Sequence, residues 1–254
     1  MNLQHFQFSG TTYEQGLSHG EALAHSIEKN ISVLAHKDHL QMANDIEHKR
    51  YQDITVLKDS PRSLVKLIRY QEKNLVHKVP KEKNKKFFNR FTTLYRKGEA
   101  FRSLESLNKL KQLNILGNTP LFAVEKRKFG MIIDSYLVYE YLEGKKVLEK
   151  DIPDVICCLN KIHATKYIHG DSQKRNFLKL QDNIAVIDAS PKKKIFMNFW
   201  KMYELIYLKA SISGGENHFI KFKKHKTYKL ARCVHLVVIS WRRFKDRVKG
   251  RCAT

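Results

Sequence analysis

Short apolar runs separated by polar turns characterise the chain between Asp53 and Val79. The run ITVL is followed by the polar segment KDSPRS, the run LVKLIRY by QEKN, and a third run, LVHKV, ends at Pro80. The strands of a small sheet have this length and are bounded by turn residues of this kind. The pattern predicts a three-stranded antiparallel meander.

A helical period follows the meander. Apolar side chains recur every three or four residues and predict at least one long helix, with Phe87, Phe91, Leu94, Tyr95, Ala100, Leu104, Leu107 and Leu110 on its apolar positions. Residues 122–124 and then 132–144 contain the apolar runs of two more strands, which end in a turn at Gly144. These elements predict a small sheet accompanied by one helix.

The rest of the chain is mainly helical in pattern. Asp151 and Pro153 are helix-start signals, and short apolar runs at 177–180 and 184–188 interrupt the helical pattern further on. Near the N-terminus, helical spacing relates Leu23, Ile27, Ile31 and Leu34. The expected fold class is therefore α+β in three parts, namely a helical extension over 1–50, a sheet lobe over 51–144, and a helical lobe over 145–254 with a basic C-terminal segment.

Composition narrows the classes of protein. With 254 residues, of which 42% are hydrophobic, the chain can bury a core, and this excludes a disordered protein. Lys and Arg number 48 against 25 Asp and Glu, a net charge of +23, and residues 191–254 hold seventeen of the cations and three of the acids. Such an excess is typical of proteins with a polyanionic partner, which can be nucleic acid, an anionic membrane surface or a phosphorylated substrate.

Targeting and redox signals are few. The N-terminal segment MNLQHFQFSGTTYEQG lacks the basic and apolar regions of a secretory signal, and the four cysteines have no CxxC spacing. We therefore expect a reducing cytoplasm and predict neither a zinc site nor a disulfide scaffold. The most apolar window, Val234–Trp241, is far shorter than the roughly 20 residues of a membrane span, so any membrane contact is expected at the surface.

The segment YIHGDSQKRNFLKLQDNIAVIDAS, residues 167–190, carries the clearest chemistry. Asp171 is followed five residues later by Asn176, and Asp188 ends the apolar run IAVID. Phosphoryl transfer from ATP needs one carboxylate that orients or deprotonates the acceptor hydroxyl, and an amide oxygen with a second carboxylate that hold Mg²⁺. The order matches the catalytic and metal-binding loops of kinases, so we predict Asp171 as the catalytic base and Asn176 and Asp188 as magnesium ligands. A simple turn at HGD, with the other two residues as caps, is the alternative interpretation.

Residues upstream supply candidates for nucleotide binding. Lys78, on the third predicted strand, would hold the nucleotide phosphates, and Glu99 in the following helix would pair with it, with Glu105 as the competing partner. The run YEYLEG lies where the hinge between kinase lobes is expected. Its backbone would bind adenine through Glu140, Tyr141 and Leu142. Each of these residues could instead be an exposed strand lysine, a solvated helix acid or part of an ordinary turn.

Together these segments resemble the lipopolysaccharide core heptose(II) kinase family, a bacterial branch of the protein-kinase-like fold. The resemblance runs from about Ile54 to Asp188 and is carried by ITVLKDS, LVHKV, KKFFNRFTTLYRKGEA, YEYLEG, HGDSQKRNF and VIDAS. It implies a two-lobed fold with a small antiparallel-sheet N-lobe and a mainly helical C-lobe. It also implies ATP and Mg²⁺, the second heptose of the lipopolysaccharide inner core as the acceptor, and action at the cytoplasmic face of the bacterial inner membrane.

Three positions depart from the general kinase pattern. KDSPRS contains no glycine where a glycine-rich phosphate loop is expected, Gly170 precedes Asp171 where protein kinases have arginine, and IDAS replaces DFG. The second departure is found in sugar and small-molecule kinases, and the third removes residues tied to conformational switching. We therefore expect the enzyme to be constitutively active, and we do not expect its phosphoryl acceptor to be a protein.

The basic C-terminal segment completes the set of hypotheses. Its cations, at Lys192–Lys194, Lys221–Lys226 and Arg242–Lys249, could contact anionic lipid headgroups or the phosphates of the core, or could form a solvated face. A small-molecule or atypical protein kinase of the same fold is the alternative enzyme. A nucleic-acid-binding module and an inactive kinase-like scaffold are the alternatives from other classes, although no nucleic acid is expected as a partner because no recognisable binding motif occurs.

Overall fold

The computed structural model describes residues 3–9, 12–14, 30–81, 91–214 and 216–248. The chain forms two compact units. The first comprises Met1–Asn108 and Asn118–Leu142, and the second comprises Lys109–Gly117 and Glu143–Thr254. Residues 1–50 thus belong to the first unit together with most of the predicted sheet lobe, whereas residues 109–117 and 143–144 of that predicted lobe belong to the second unit.

The first unit is built on an eight-stranded antiparallel sheet. In chain order its strands are β1 (Gln4–Ser9), β2 (Thr12–Glu14), β3 (Asn30–Ala35), β4 (Gln52–Asp59), β5 (Leu64–Tyr70), β6 (Lys73–Val79), β7 (Pro120–Lys128) and β8 (Met131–Glu140). Their spatial order is β2-β1-β3-β7-β8-β6-β5-β4. The predicted meander corresponds to β4, β5 and β6, and the two later strands to β7 and β8, so both predictions are confirmed.

The described parts of residues 1–50 do not form the predicted helical extension. Ile31 and Leu34 lie in β3, which pairs with β7 so that Val33 is opposite Val124, while Leu23 and Ile27 lie outside the described residues. Among the described residues of this region, Leu40–Glu47 form an α-helix, α1. The helical period was misleading because β3 is covered on both faces, so the successive residues Val33, Leu34 and Ala35 are all apolar and buried and lack the alternation of a half-exposed strand.

Strand alternation gives this sheet two apolar faces. One face packs against α1 in a cluster that includes Val33, Ala43, Ile46, Phe122, Tyr136 and Val138. The other packs against α2 (Glu99–Gln112) in a cluster made of Leu34, Ala100, Phe101, Leu104, Leu107, Ala123 and Leu137. Each fully buried leucine contributes about 1.5–3 kcal/mol, so helices on both faces hold the sheet. The predicted long helix is confirmed over its second half, whereas Phe87 lies outside the described residues.

The second unit is mainly helical. Its helices are α3 (Ile152–Ala164), α4 (Met197–Lys209), α5 (Ile220–Lys223) and α6 (Lys226–Val248), and its short strands are β9 (Lys145–Lys146), β10 (Tyr167–Ile168), β11 (Phe177–Leu180), β12 (Asn183–Val186) and β13 (Lys192–Lys193). The core joins α3, α4 and the β11–β12 hairpin through the buried Leu159, Ile162, Phe177 and Leu205. The predicted α+β class, with a sheet region followed by helices, is confirmed.

Two features of the helices follow from their sequences. Helix α3 begins where predicted, with Pro153 in its first turn, and the Leu148 N–H before it donates to Asp151 Oδ2 at 2.9 Å. Across the described residues, no helix combines the length and the apolarity that crossing a membrane requires.

Candidate active site

The predicted catalytic loop lies between β10 and β11. A 3₁₀ turn over Lys174–Asn176 returns the chain, so that Asn176 Nδ2 donates to the Asp171 main-chain oxygen at 2.7 Å and to Asp171 Oδ2 at 2.9 Å. Asn176 is 5% exposed. Because these bonds use the amide nitrogen, the side chain of Asn176 keeps its oxygen Oδ1 as an acceptor for another group.

The predicted metal-binding segment runs alongside this loop. The Ile187 N–H donates to the Asn176 carbonyl at 3.0 Å, and the Ser190 N–H donates to the His169 carbonyl at 2.9 Å. Asp188 lies between these two attachment points and its side chain is exposed. The structure therefore places the segment that carries Asp188 beside the loop of Asp171 and Asn176, whereas the roles of the three residues stay a prediction.

Gly170 has a structural reason to be glycine. Its φ of +86° lies in the left-handed region, and a Cβ at this position would collide with the Ser190 carbonyl oxygen. A larger residue would push the Asp188 segment away from the catalytic loop. Packing thus requires glycine at the position where protein kinases have arginine, directly before Asp171.

The donor set of this loop fits Mg²⁺. Magnesium binds oxygen ligands and usually takes most of its six from water and substrate phosphates, so one amide oxygen and one carboxylate from the protein suffice. Within the described ranges no group of three or more His, Cys, Asp or Glu side chains is placed to hold a metal.

A buried carboxylate on α4 holds the catalytic loop. Glu204, 3% exposed, accepts the His169 N–H at 2.9 Å and the Gly170 N–H at 2.7 Å, and its Oε2 also accepts from His163 Nε2 at 2.8 Å. The main-chain oxygen of the same glutamate accepts from the Ser172 hydroxyl at 2.9 Å. One helix residue therefore fixes the backbone on both sides of Asp171.

The histidine of HGD is a structural residue. The His169 side chain is fully buried, its ring packs on Phe177 with the ring centroids 4.9 Å apart, and its Nδ1 accepts the Asp171 N–H at 3.3 Å. Burial lowers the pKa of His169, and the nearby Glu204 opposes that shift. The ring thus acts as a neutral acceptor that shapes the turn leading into Asp171.

The first unit presents Lys78 on a defined face of the sheet. Lys78 on β6 is opposite Leu137 on β8, and Leu137 belongs to the cluster under α2. Directly paired residues of neighbouring strands point to the same face, so Lys78 lies on the α2 side. Glu99 is the first residue of that helix, whereas the competing Glu105 pairs with Lys97 at 2.6 Å. Glu105 thus already has an ion-pair partner, and the pairing of Lys78 with Glu99 stays a prediction.

The predicted hinge segment follows β8 and is partly used in local bonds. The Glu140 N–H donates to the Thr119 carbonyl and the Tyr141 N–H to the Asn74 carbonyl, both at 3.0 Å. The Glu140 carbonyl accepts from Asn118 Nδ2 at a long 3.4 Å, and a carbonyl oxygen has a second lone pair. The Leu142 N–H and the Glu140 carbonyl are therefore the backbone pair of this segment best suited to an adenine edge.

The glycine-free phosphate segment is a closed serine turn. Between β4 and β5, the Ser60 N–H and the Ser60 hydroxyl both donate to the Ser63 carbonyl at 3.1 Å, and the Ser63 N–H donates to the Ser60 hydroxyl at 3.2 Å. The Ser60 hydroxyl and the backbone groups of Ser60 and Ser63 thus close this turn, which contains no glycine. Because these groups bond to each other, any phosphate contact from this turn must come from other groups.

Comparison with known proteins agrees with this geometry. The sequence model of the lipopolysaccharide core biosynthesis protein (WaaY) family matches residues 24–200, which is more than half of the chain. The chain belongs to this family. A curated relative, the lipopolysaccharide core heptose(II) kinase WaaY of Escherichia coli, is 23% identical over 160 residues, which cover 60% of this chain and 69% of that protein.

A solved structure supports the fold of this WaaY-family chain. The structure described as WaaP in complex with acyl carrier protein superposes with a TM-score of 0.52 at 14% sequence identity, over 85% of this chain and 98% of that one. The likeness shows a shared fold and confirms the kinase-like architecture expected from the sequence.

Sequence reasoning missed two buried carboxylates, Glu204 and Glu125. Glu125 on β7 is fully buried, accepts the Gly98 N–H at 2.7 Å just before α2, and pairs with Arg127 at 2.7 Å. A signal existed for Glu204, since it is an acid inside the apolar helix sequence MNFWKMYELIYLK within a strongly basic region. For Glu125 the only local signal is an acid that follows the apolar run LFAV, which is common at strand ends.

Proposed function

We propose that this protein is an ATP-dependent kinase that phosphorylates a heptose of the lipopolysaccharide inner core, heptose II, during core biosynthesis. Asn176 bound to Asp171, beside the Asp188 segment, in a chain of the WaaY family is the observation that carries the proposal. Phosphoryl transfer depends chiefly on positioning and electrostatics, and this loop supplies both. The protein is thus a phosphotransferase with an alcohol group as acceptor, and ATP is its phosphoryl donor.

The Asp171 carboxylate acts on the acceptor hydroxyl. The heptose oxygen attacks the γ-phosphorus of ATP, the bond from that phosphorus to the β–γ bridging oxygen breaks, and ADP leaves. Asp171 accepts the hydroxyl proton as the new oxygen–phosphorus bond forms. The hydrogen bond from Asn176 to Oδ2 holds the carboxylate in place during this transfer.

Asn176 and Asp188 would hold Mg²⁺ through an amide oxygen and a carboxylate. When bound, the ion neutralises charge that develops on the phosphate oxygens. In the first unit, Lys78 with Glu99 would bind the nucleotide phosphates, and the segment Glu140–Leu142 would bind adenine. The placement of Lys78 on the α2 face supports this assignment.

Transfer onto a defined acceptor tests the proposal. The purified protein, with ATP and Mg²⁺, is incubated with lipopolysaccharide core lacking heptose phosphate, and the mass of the core is measured. We expect one added phosphate with the wild type and none with Asp171→Ala, which should still bind ATP. Asp182→Asn, an exposed acid in the β11–β12 turn, is the matched control and should behave as the wild type.

Each other result changes a different part of the proposal. Wild-type turnover by Asp171→Ala would show that Asp171 is not the base. ATP binding without transfer would leave the kinase fold but replace heptose II by another acceptor. Absence of ATP binding would favour the inactive scaffold, and the closed serine turn would then explain why the nucleotide phosphates are not bound.

The C-terminal helix supports a membrane partner for this kinase. One flank of α6 carries a stripe of exposed apolar side chains at alternating spacings of four and three residues, namely Leu230, Val234, Val237, Trp241 and Phe244, which are 58%, 37%, 69%, 60% and 57% exposed. The opposite flank carries Lys229, Arg232, Arg243 and Arg247, while Tyr228, Ala231 and His235 face the core. A helix with these three faces fits the interface of an anionic bilayer, where the apolar flank enters the acyl boundary and the cations meet headgroups.

Tryptophan fluorescence tests this docking. In a Trp200→Phe variant, Trp241 is the remaining tryptophan, and its emission should shift to the blue with phosphatidylglycerol vesicles and not with phosphatidylcholine vesicles. Phe244→Ser should weaken vesicle binding about tenfold, whereas Leu236→Ser, exposed off the stripe, should not. An unshifted emission with both vesicle types would exclude the membrane as the occupant of this face.

A further inference from the structure

The Asp171 carboxylate is held through both of its oxygens. Oδ2 accepts from Asn176 Nδ2 at 2.9 Å, and Oδ1 accepts from Gln173 Nε2 at 2.9 Å. A single hydrogen bond would leave the carboxylate free to rotate about its Cβ–Cγ bond. The second bond fixes that rotation, so Gln173 decides which way the carboxylate faces.

Gln173 is in turn held by helix α4. Its Nε2 lies 3.0 Å from the hydroxyl oxygen of Tyr207, in addition to its contact with Asp171. An amide nitrogen carries two hydrogens, and these two acceptors use one each. The amide plane of Gln173 is thus set by a residue of the unit's core helix and not by the loop alone.

Tyr207 is supported from α6. The rings of Tyr207 and His235 pack edge to face with centroids 5.9 Å apart, and His235 makes a similar contact with Tyr203 at 5.7 Å. His235 is 5% exposed, and neither of its ring nitrogens has a hydrogen-bond partner in the part of the chain that the structure describes. Burial, followed by the nearby Arg242, lowers the pKa of His235, so the ring is neutral and contributes packing.

We propose that Gln173, Tyr207 and His235 form a positioning relay that orients the Asp171 carboxylate, so that the C-terminal helix α6 serves the transfer step as well as docking. The proposal rests on the proposed function, in which Asp171 is the base. Each step of the relay is a direct contact within the second unit. Gln173 touches the Asp171 carboxylate, whereas Tyr207 and His235 act on it only through Gln173.

A double-mutant cycle tests the hydroxyl of Tyr207. Tyr207→Phe keeps the ring on His235 but removes the acceptor of Gln173, and we expect kcat for heptose phosphorylation to fall about tenfold with KM for ATP and the unfolding midpoint unchanged. Gln173→Leu should lower kcat at least as much, and adding Tyr207→Phe to it should have no further effect. Tyr203→Phe, on the same helix and against the same histidine, is the matched control and should keep wild-type kcat. Wild-type kcat in Tyr207→Phe, or an equal loss in both backgrounds, would overturn the relay.

Rescue separates positioning by His235 from mere stability. His235→Ala should lower both kcat and the unfolding midpoint, and His235→Phe, which refills the space between Tyr203 and Tyr207, should recover most of the lost kcat. Recovery of the midpoint without recovery of kcat would remove His235 from the relay.

A readout that needs no acceptor distinguishes failure of the relay from failure of the proposed function. The side-chain amide signals of Gln173 in a ¹H–¹⁵N spectrum can be assigned by their loss in Gln173→Leu. They should shift in Tyr207→Phe and stay in place in Tyr203→Phe. Unmoved signals would contradict the relay whatever the enzyme phosphorylates, whereas shifted signals with no heptose phosphorylation by the wild type would contradict only the heptose acceptor.

Discussion

The two units each use one buried carboxylate to fix the segment that carries a candidate functional residue. Glu125 in the first unit holds the backbone before α2, where Glu99 begins the helix, and its charge is balanced by Arg127. Glu204 in the second unit holds the backbone just before Asp171, and its partners are the N–H groups of His169 and Gly170 and the His163 ring. The first anchor is a permanent ion pair with one backbone bond. The second is a network in which two of the three donors are backbone N–H groups of the loop, so the position of the Glu204 carboxylate and the shape of the loop depend on each other.

The largest effect is expected from Glu204→Gln. The amide would present a donor to at least one of the three donors that now converge on the carboxylate, and an unsatisfied buried group costs about 1–3 kcal/mol. We expect the free energy of unfolding to fall by about 3 kcal/mol and kcat to fall about 100-fold, because a shift of the Asp171 backbone by about 1 Å misplaces the base. Urea denaturation and phosphotransfer assays measure the two quantities.

Glu143→Gln, an exposed acid in the same unit, serves as the control for this change. Retention of wild-type kcat by a folded Glu204→Gln would mean that the catalytic loop keeps its shape without its anchor. The two carboxylates would then be equivalent structural residues.

A smaller effect is expected from Glu125→Gln. The amide oxygen can still accept the Gly98 N–H, and Arg127 keeps its bonds to the carbonyls of Thr93 at 2.9 Å and Gly130 at 2.8 Å. We expect a loss of about 1–2 kcal/mol in the free energy of unfolding. KM for ATP should rise a few-fold with little change in kcat, since Glu99 and Lys78 would serve nucleotide binding and not proton transfer.

The exposed Glu72→Gln in the β5–β6 turn is the matched variant and should leave KM for ATP as it is. A fall in kcat for Glu125→Gln as large as that for Glu204→Gln would contradict this comparison, in which Glu125 supports nucleotide binding and Glu204 supports the catalytic loop.

The smallest effect concerns acid sensitivity of the first unit. Burial on β6, with further lowering by Lys66, depresses the pKa of His77 from 6.5 to about 4. The unfolded chain therefore binds more protons than the folded one below pH 6.5, and the free energy of unfolding falls as the pH drops from 6.5 toward 4. Since His77 keeps some solvent contact, we expect its share of this loss to be about 2 kcal/mol.

His77→Phe, which fits between the rings of Tyr51 and Tyr136, should remove that share of the pH dependence. Urea denaturation at pH 7 and pH 4.5, followed by hydrogen exchange in β6, measures it, with the exposed His48→Gln as the control. An unchanged pH dependence in His77→Phe would assign the acid sensitivity to another buried group, such as His169 of the second unit, whose pKa burial also lowers.

The local sequence pattern was sufficient to predict the elements whose own residues carry the signal. The runs ITVL, LVKLIRY and LVHKV became β4, β5 and β6 because each is bounded by turn residues, and Pro153 marked the start of α3 because proline suits a first helical turn. The pattern failed at Ile31 and Leu34 because a strand buried on both faces has no alternation to reveal it.

The sequence by itself determined which chemical groups the predicted catalytic loop carries. Asp171, Asn176 and Asp188 lie within eighteen residues of one another along the chain, so a single loop and hairpin bring them together, and their types and order sufficed to predict that. The tertiary structure alone decided how the loop is held. Glu204, Tyr207 and His235 are far from Asp171 along the chain. Only the tertiary packing brings the Glu204 carboxylate and the Tyr207 hydroxyl onto the loop, and the His235 ring against Tyr207. No local periodicity encodes such contacts, because they depend on how separate helices pack against one another.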